Sequence, residues 1–392
     1  MKLHSRIKAS RPGNPVIVRI TDKPFLHAHK REHEAFLCDT AWPAPDTTTG
    51  FAALITKNNT YPVADSDSLI VELPEDLHYL KAGDVVRINP NKNELHVLYR
   101  QDSSHNSFLL TERCNSNCIM CSQPPKPHDD SYIVDELVQA IPLIDPYTSV
   151  LGFTGGEPTL LGDDFFRLLS MTKNWLPHTE LQVLSNGRAF SRLPFARRLA
   201  NVGHPKLLLA IPLYSDLDDR HDFVVQAKGA FDETIRGMLN LARYHQRFEI
   251  RVVIHKQTYE RLPALATFIA RNLPFATHVA LMGLENMGYV KMNLDALWID
   301  PHDYQNELCE SVRILDQTGI ATSIYNHQLC VLDRSLWDFG RKSISDWKNI
   351  YIPECDNCQA KSQCGGFFAS SGLRYSDYIS PIDDLEASAP SW

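Results

Sequence analysis

Short apolar runs that alternate with longer amphipathic segments occupy the middle of this chain. The runs have four to eight residues and lie at 108–111, 150–154, 181–185, 207–213, 250–255 and 279–284. The clearest segment between them, 229–245, has apolar residues near helical spacing. Strands that alternate with helices predict an α/β fold with a parallel sheet and right-handed crossovers, either open or barrel-like.

The N-terminal part of the chain has a different pattern. Strand-like runs at 15–20, 51–55, 68–73, 84–88 and 94–99 are separated by turn residues such as Gly83-Asp84 and Asn89-Pro90-Asn91. We expect a small β domain at 1–105, to which the sequence gives no chemistry of its own. The predicted α/β core follows at 106–300. The region 301–392 begins with a helix at 304–316 and continues as an irregular tail rich in Trp, Gly and Cys.

Composition and charge narrow the classes of function. With 39 basic and 47 acidic residues the net charge is -8, which disfavours a nucleic-acid partner because phosphate neutralisation needs clustered Lys and Arg. No run of about 18 apolar residues is present, and the polar N-terminus has no signal-peptide core. We therefore expect a cytoplasmic protein without a membrane partner.

Cysteine usage points to metal. Nine cysteines are an odd number, and seven fall in two close groups, which is typical of metal sites rather than of a disulfide framework. The remaining two, Cys38 and Cys309, are expected to be buried, inert thiols.

The first group comprises Cys114, Cys118 and Cys121, directly after the first predicted core strand. Ligands of parallel sheets gather at the carboxyl ends of the strands, and the turn formers between the cysteines let the loop curl around a small centre. Structural zinc takes four protein ligands, and His128 is the nearby candidate for a fourth. An iron–sulfur cluster with one unligated iron fits three thiolates and leaves a position for a cofactor.

Two further motifs end the second and third predicted strands. Gly155-Gly156-Glu157-Pro158 combines close backbone approach with an acceptor for an ammonium group, and Ser185-Asn186-Gly187 is a polar turn. Taken with the CxxxCxxC loop, these motifs resemble the radical S-adenosylmethionine (SAM) superfamily.

That resemblance implies a partial (β/α)6 TIM-like barrel and an open-site [4Fe-4S] cluster on the first cysteine group. It implies that the open iron chelates SAM and that one-electron reduction yields methionine and a 5′-deoxyadenosyl radical. It further implies that Gly155, Gly156 and Glu157 contact the SAM amino group, and that Ser185 and Asn186 contact its ribose or carboxylate. Arg251 and His255 are weaker candidates to face the same pocket.

The second group comprises Cys330, Cys355, Cys358 and Cys364. Four thiolates suit either one fully ligated [4Fe-4S] cluster or one structural zinc. The spacing resembles the C-terminal SPASM and twitch extensions of peptide-modifying radical SAM enzymes. No cysteine follows Cys364, and Phe368 stands near the place of the next SPASM cysteine, which favours one auxiliary cluster and a twitch-like extension.

Several stretches between residues 110 and 368 resemble the C-type radical SAM maturase of the His-Xaa-Ser system. They include Leu110-Thr-Glu-Arg-Cys114, Leu184-Ser-Asn-Gly-Arg188, Tyr325-Asn-His-Gln-Leu-Cys330 and Cys364-Gly-Gly-Phe-Phe368. The resemblance implies a substrate protein with His-Xaa-Ser repeats, a second radical SAM maturase as partner, and a reductant that donates electrons. The alternatives are a sulfatase-maturase-like or small-molecule radical SAM enzyme and, from another class, a two-zinc scaffold that binds a protein or nucleic acid.

Overall fold

The computed structural model describes residues 2–38, 48–57, 68–343 and 349–383. The chain forms two compact units. One contains Met1–Phe108, Ser131–Leu151 and Arg167–Thr179, and the other contains Leu109–Asp130, Gly152–Phe166 and Glu180–Trp392. Met1 and residues 384–392, which belong to the predicted β domain and tail, lie outside the described residues. The division at residues 105 and 300 stays a prediction.

A mixed sheet of eight strands forms the first unit, in the order β1-β8-β7-β3-β4-β5-β6-β2. The strands are β1 (His4–Arg6), β2 (Lys8–Ala9), β3 (Val16–Thr21), β4 (Glu34–Cys38), β5 (Ala53–Thr56), β6 (Ile70–Glu72), β7 (Val85–Asn89) and β8 (Glu94–Tyr99). The five predicted runs correspond to β3, β5, β6, β7 and β8, and the other three strands were not predicted. The apolar core of this unit includes Val18, Ile55 and Val86, which are fully buried.

A second sheet has seven strands in the order β15-β14-β13-β12-β11-β10-β9. These are β9 (Asn106–Thr111), β10 (Val150–Gly155), β11 (Glu180–Leu184), β12 (Leu207–Pro212), β13 (Phe248–Ile254), β14 (His278–Gly283) and β15 (Thr322–Tyr325). Pairing from β11 to β15 is parallel throughout. The six predicted strands are confirmed, and β15 adds a seventh. Because β9 and β15 form the two edges, the fold is α/β with an open, partial barrel.

The described helices lie between strands of the second sheet, except the short first helix, which lies between β3 and β4 of the first sheet. The helices are α1 (Ala28–Arg31), α2 (Tyr132–Ala140), α3 (Asp163–Trp175), α4 (Leu193–Val202), α5 (Asp218–Val225), α6 (Ala230–Arg243), α7 (Leu262–Asn272), α8 (Leu294–Leu297) and α9 (Gln305–Gln317). The helices predicted at 229–245 and 304–316 are therefore confirmed as α6 and α9. Within the described parts of the chain, no helix has both the length and the apolar character needed to cross a bilayer.

Candidate functional site

The first cysteine group lies in a loop that begins at the carboxyl end of β9. Cys114, Cys118 and Cys121 are all partly buried and free of disulfides. Burial is the main reason that the pKa of Cys114 rises to about 11 and that of Cys118 to about 12, and the neighbouring thiols add to both effects. The three sulfurs therefore share one poorly solvated space, and a metal that binds there must displace protons.

Main-chain hydrogen bonds hold the middle and the end of this loop in place. Asn117 and Ile119 donate main-chain hydrogen bonds of 3.0 Å to the carbonyls of Val225 and Val224, the last two residues of α5. The Cys121 carbonyl accepts a 2.9 Å bond from the Tyr289 amide. Main-chain bonding of this kind fixes the loop without using the thiols.

Apolar packing also holds the loop. Met120, between the second and third cysteines, is 7% exposed and packs in a cluster with Tyr214, Val224 and Val290. The phenol of Tyr214 lies near all three thiols, and burial is the main cause that raises its pKa well above the ordinary value. Met120 therefore points into the apolar core, and Cys118 packs against the edge of that core.

Asp130 organises the start of the loop. Its buried carboxylate accepts hydrogen bonds from the Thr111 hydroxyl at 2.7 Å and the Glu112 amide at 2.5 Å. Arg113 donates to the same carboxylate from Nε at 3.1 Å. Asp130 thus binds three consecutive residues immediately before Cys114, a role that no sequence motif indicated.

Arg188 connects the loop to α6. Its Nη1 donates to the Asn115 carbonyl at 2.6 Å and to the Ser116 hydroxyl at 3.1 Å, while its Nε bonds to Glu233 at 2.6 Å. Only 14% of the Arg188 side chain is exposed. The side-chain amide of Asn186 donates a further 2.6 Å hydrogen bond from Nδ2 to Oδ1 of Asn115. The turn at the end of β11 therefore contacts the middle of the cysteine loop.

The glycine pair at the end of β10 allows the turn to approach that loop closely. Gly155 has φ of 140°, which disfavours any other residue. A Cβ on Gly156 would collide with the Arg113 carbonyl oxygen. The amides of Gly156 and Glu157 donate 2.8 Å bonds to the carbonyls of Thr111 and Arg113. In the structure these glycines approach the backbone of Thr111 and Arg113, and their approach to a cofactor stays a prediction.

Glu157 is fully buried and bonded inside the protein. Oε1 accepts from the Thr159 amide at 3.1 Å, the Thr159 hydroxyl at 2.6 Å and the Ser185 hydroxyl at 2.8 Å, and Oε2 accepts from the Asn186 amide at 2.7 Å. Burial raises the pKa of this carboxyl despite these bonds. A carboxylate has about four acceptor positions, so little capacity remains for a ligand. The side chain therefore joins two predicted cofactor motifs to each other.

The second cysteine group also converges. Cys330, Cys355, Cys358 and Cys364 line a single cavity together with Tyr351 and Lys361. Main-chain amides donate to two of the sulfurs at 3.4 Å, from Leu329 and Gly366 to Cys364 and from Ile382 to Cys358. Such N–H···S hydrogen bonds are typical of cysteine thiolates that coordinate a metal.

The candidate fourth ligand of a zinc site at the first cysteine group has another partner. His128 Nε2 lies 3.0 Å from a carboxylate oxygen of Glu112. The first group thus presents three thiolates, which suits a centre with one open metal position better than a closed zinc site.

Of the other candidates, Arg251 bonds to Glu249 at 2.6 Å and His255 is fully buried. Cys38 is buried as expected, and Cys309 is partly buried. Asp130 and Arg188 were missed because their partners are distant in sequence. The available signals were the position of Asp130 nine residues after Cys121 and that of Arg188 directly after the Ser185-Asn186-Gly187 turn.

Comparisons with known proteins find similarity in part of this chain. Residues 108–269 match the family model of the radical SAM superfamily. A probable GTP 3′,8-cyclase of Methanocella arvoryzae is 31% identical over 132 residues, which are 33% of this chain and 40% of that protein. An Fe-coproporphyrin III synthase of Methanosarcina barkeri is 28% identical over 162 residues, 40% of this chain and 38% of that protein. The chain thus spans about two fifths of the length of these curated relatives.

Among solved structures, Streptococcus suis SuiB bound to S-adenosylmethionine is similar with a TM-score of 0.46 and 15% identity. The similarity covers 59% of this chain and 52% of SuiB.

Proposed function

We propose that the protein is a radical SAM maturase that cleaves SAM reductively and modifies a protein with His-Xaa-Ser repeats. The match of residues 108–269 to the family model of the radical SAM superfamily supports the radical SAM part of this proposal. The observation that carries the radical SAM part is the convergence of three partly buried thiols at the carboxyl end of β9, beside the Gly155-Gly156 turn. The identity of the substrate rests on sequence resemblance.

The donor set fits an open-site [4Fe-4S] cluster held by Cys114, Cys118 and Cys121. Three thiolates leave one iron without a protein ligand, and His128, the candidate fourth ligand of a closed zinc site, is bonded to Glu112. When bound, the cluster supplies the electron for SAM cleavage. The Ser116 amide donates to the Cys114 sulfur at 3.4 Å, which stabilises the thiolate form.

For SAM we propose contacts from the main chain of Gly155 and Gly156 and from Ser185 and Asn186. Glu157 acts here as a positioning residue, because its hydrogen bonds to Ser185 and Asn186 fix the turn that meets the cysteine loop. Its complete burial supports this role over direct contact with the cofactor.

We assign one auxiliary [4Fe-4S] cluster to Cys330, Cys355, Cys358 and Cys364. The four thiols line one cavity, and two of them accept main-chain N–H bonds. Four protein ligands would leave no free iron for substrate, so this cluster would transfer electrons or hold the tail in place.

A second candidate function is a radical SAM enzyme that acts on a small molecule. The names of the two curated relatives, a probable GTP 3′,8-cyclase and an Fe-coproporphyrin III synthase, favour this alternative. The stretches that resemble the His-Xaa-Ser maturase, above all Tyr325–Cys330 and Cys364–Phe368, favour the protein substrate. We further propose a second radical SAM maturase and a cellular reductant as partners, and a reducing compartment such as the cytoplasm as location.

Anaerobic purification, followed by analysis of iron, sulfide and zinc, tests the cluster assignment. Reduced protein given SAM should form 5′-deoxyadenosine. Co-expression with a His-Xaa-Ser repeat protein, with and without the second maturase, should change the mass of the repeat protein. Zinc in place of iron would refute the proposal that the protein is a radical SAM enzyme. SAM cleavage without a change in the mass of the repeat protein would favour the small-molecule alternative.

A further inference from the structure

Two histidines and a glutamate converge on one face of the N-terminal sheet. His4 on β1 lies directly opposite His96 on β8 in the antiparallel register. Glu94 precedes His96 by two residues, so both side chains project from the same face. One ligand atom from each of the three lies within 4.8 Å of the other two. Among the described residues, His, Cys, Asp and Glu form no other group of three that is so close.

We propose that His4, Glu94 and His96 bind a zinc ion. Two imidazoles and a carboxylate are a ligand set of open tetrahedral zinc sites, in which water completes the coordination. Ligand atoms of such a site lie ~3.4 Å apart. The His96 Nε2 and a Glu94 carboxylate oxygen are already 3.9 Å apart, and the two imidazole centroids are separated by 4.1 Å. Small side-chain rotations on paired strands close the remaining gap.

One basic residue beside the site has its own partner. Arg87 opposes a bound cation, but its Nη1 pairs with Glu136 at 2.5 Å, which offsets its charge.

The position of the site indicates what zinc does there. β1 has three residues and is an edge strand of the eight-stranded sheet. An edge strand that pairs over so short a distance frays readily unless it is fastened. An ion that binds only when β1 is paired with β8 stabilises that pairing by mass action. The site is therefore structural, and it gives the N-terminal unit a metal that is independent of both cysteine groups.

Equilibrium dialysis of the full-length, anaerobically cluster-loaded protein against micromolar zinc tests this site. Wild-type protein should bind one zinc per chain at this site. His4→Asn and His96→Asn should weaken that binding by at least tenfold. His33→Asn is the matched control, because His33 is an exposed histidine 3.7 Å from Glu32 without a third ligand, and it should bind as the wild type does.

Amide hydrogen exchange at residues 4–6 supplies a second readout. Zinc should slow exchange there in the wild type and in His33→Asn but not in the two site variants. Zinc taken up by unloaded cysteines would be equal in all four proteins, so failure of cluster loading leaves the comparison intact. Equal zinc affinity in wild type and site variants, or absence of zinc from the wild type, would overturn the proposal.

Discussion

Arg188 Nη1 donates a 2.6 Å hydrogen bond to the carbonyl of Asn115, the residue that follows the first cysteine of the CxxxCxxC loop. The same guanidinium is held by Glu233 on α6. The largely buried positive charge of Arg188 is thereby fixed beside the loop that is proposed to hold an anionic iron–sulfur cluster. This charge should favour the reduced state of the cluster.

Arg188→Gln should therefore lower the reduction potential of the first cluster by on the order of tens of millivolts, because reduction adds negative charge. Redox titration monitored by electron paramagnetic resonance measures this shift. Arg198→Gln is the control, since Arg198 pairs with the exposed Asp163. A potential that is the same in Arg188→Gln and wild type would show that the side chain only supports the loop.

Cys118→Ala should remove roughly half of the bound iron and abolish SAM cleavage, since one of three cluster ligands is lost. Cys309→Ala should change neither quantity, because Cys309 lies outside both groups, with its sulfur 4.0 Å from the Ser335 hydroxyl. The measurements are iron content and 5′-deoxyadenosine formation under reducing conditions. Normal cleavage by Cys118→Ala would contradict the assignment of the first site.

Cys358→Ala should retain SAM cleavage but lose modification of the substrate protein, because the first group forms its site without the second. The assay compares 5′-deoxyadenosine with the mass of the co-expressed repeat protein. Electron transfer by the second cluster predicts normal substrate binding with uncoupled 5′-deoxyadenosine, whereas an anchoring role also predicts weaker binding. Modification at the normal rate would eliminate both roles.

Glu157→Ala should destabilise the protein by about 2–4 kcal/mol, because it leaves buried donors of Thr159, Ser185 and Asn186 without an acceptor. Glu157→Gln keeps one acceptor oxygen and should fall between this variant and the wild type. Thermal unfolding in the absence of SAM measures the effect. If Glu157→Ala has the stability of the wild type but binds SAM more weakly, Glu157 contacts the cofactor directly and does not act as a positioning residue.

Acid should destabilise the protein partly through His255. Burial lowers the pKa of this histidine to about 4, from 6.5 in an unfolded chain. The unfolded state takes up the proton more readily, so stability present above pH 6.5 is lost as the pH falls toward 4, by up to about 3 kcal/mol. His255→Asn should flatten this dependence, whereas exposed His33→Asn should not. Thermal melts at pH 7 and pH 5 compare them, and equal slopes would contradict the prediction.

The regular parts of the fold could be read from apolar periodicity, and the exceptions have local causes. β15 was missed because Thr322–Tyr325 has four residues and a single aliphatic side chain. β4 was missed because it begins with a charged residue, Glu34, at the end of a polar stretch, yet Glu34 is buried and accepts a 3.0 Å bond from Arg19 Nε. A charged residue in a buried strand is acceptable only with such a partner, which periodicity does not detect.

At the first cysteine group, the close spacing and the position after a predicted strand identified Cys114, Cys118 and Cys121, because a short loop can bring them together. The roles of Asp130 and Arg188 depend on contacts across 17 and 73 residues respectively. Contacts between residues so far apart in sequence depend on the order of the strands in the sheet, and that order cannot be derived from a single sequence. Glu157 was recognised as important, but its burial and its protein partners depend on the same tertiary arrangement.

The last described residues of the tail are tied to the second cysteine group. Ile382 donates to the Cys358 sulfur at 3.4 Å and accepts a 2.9 Å bond from the Gln359 amide. If the cysteines hold a cluster, loss of iron would loosen this segment and expose it to proteases. Metal content and the protease resistance of this segment would then be linked, because a metal bound only by the folded tail stabilises it.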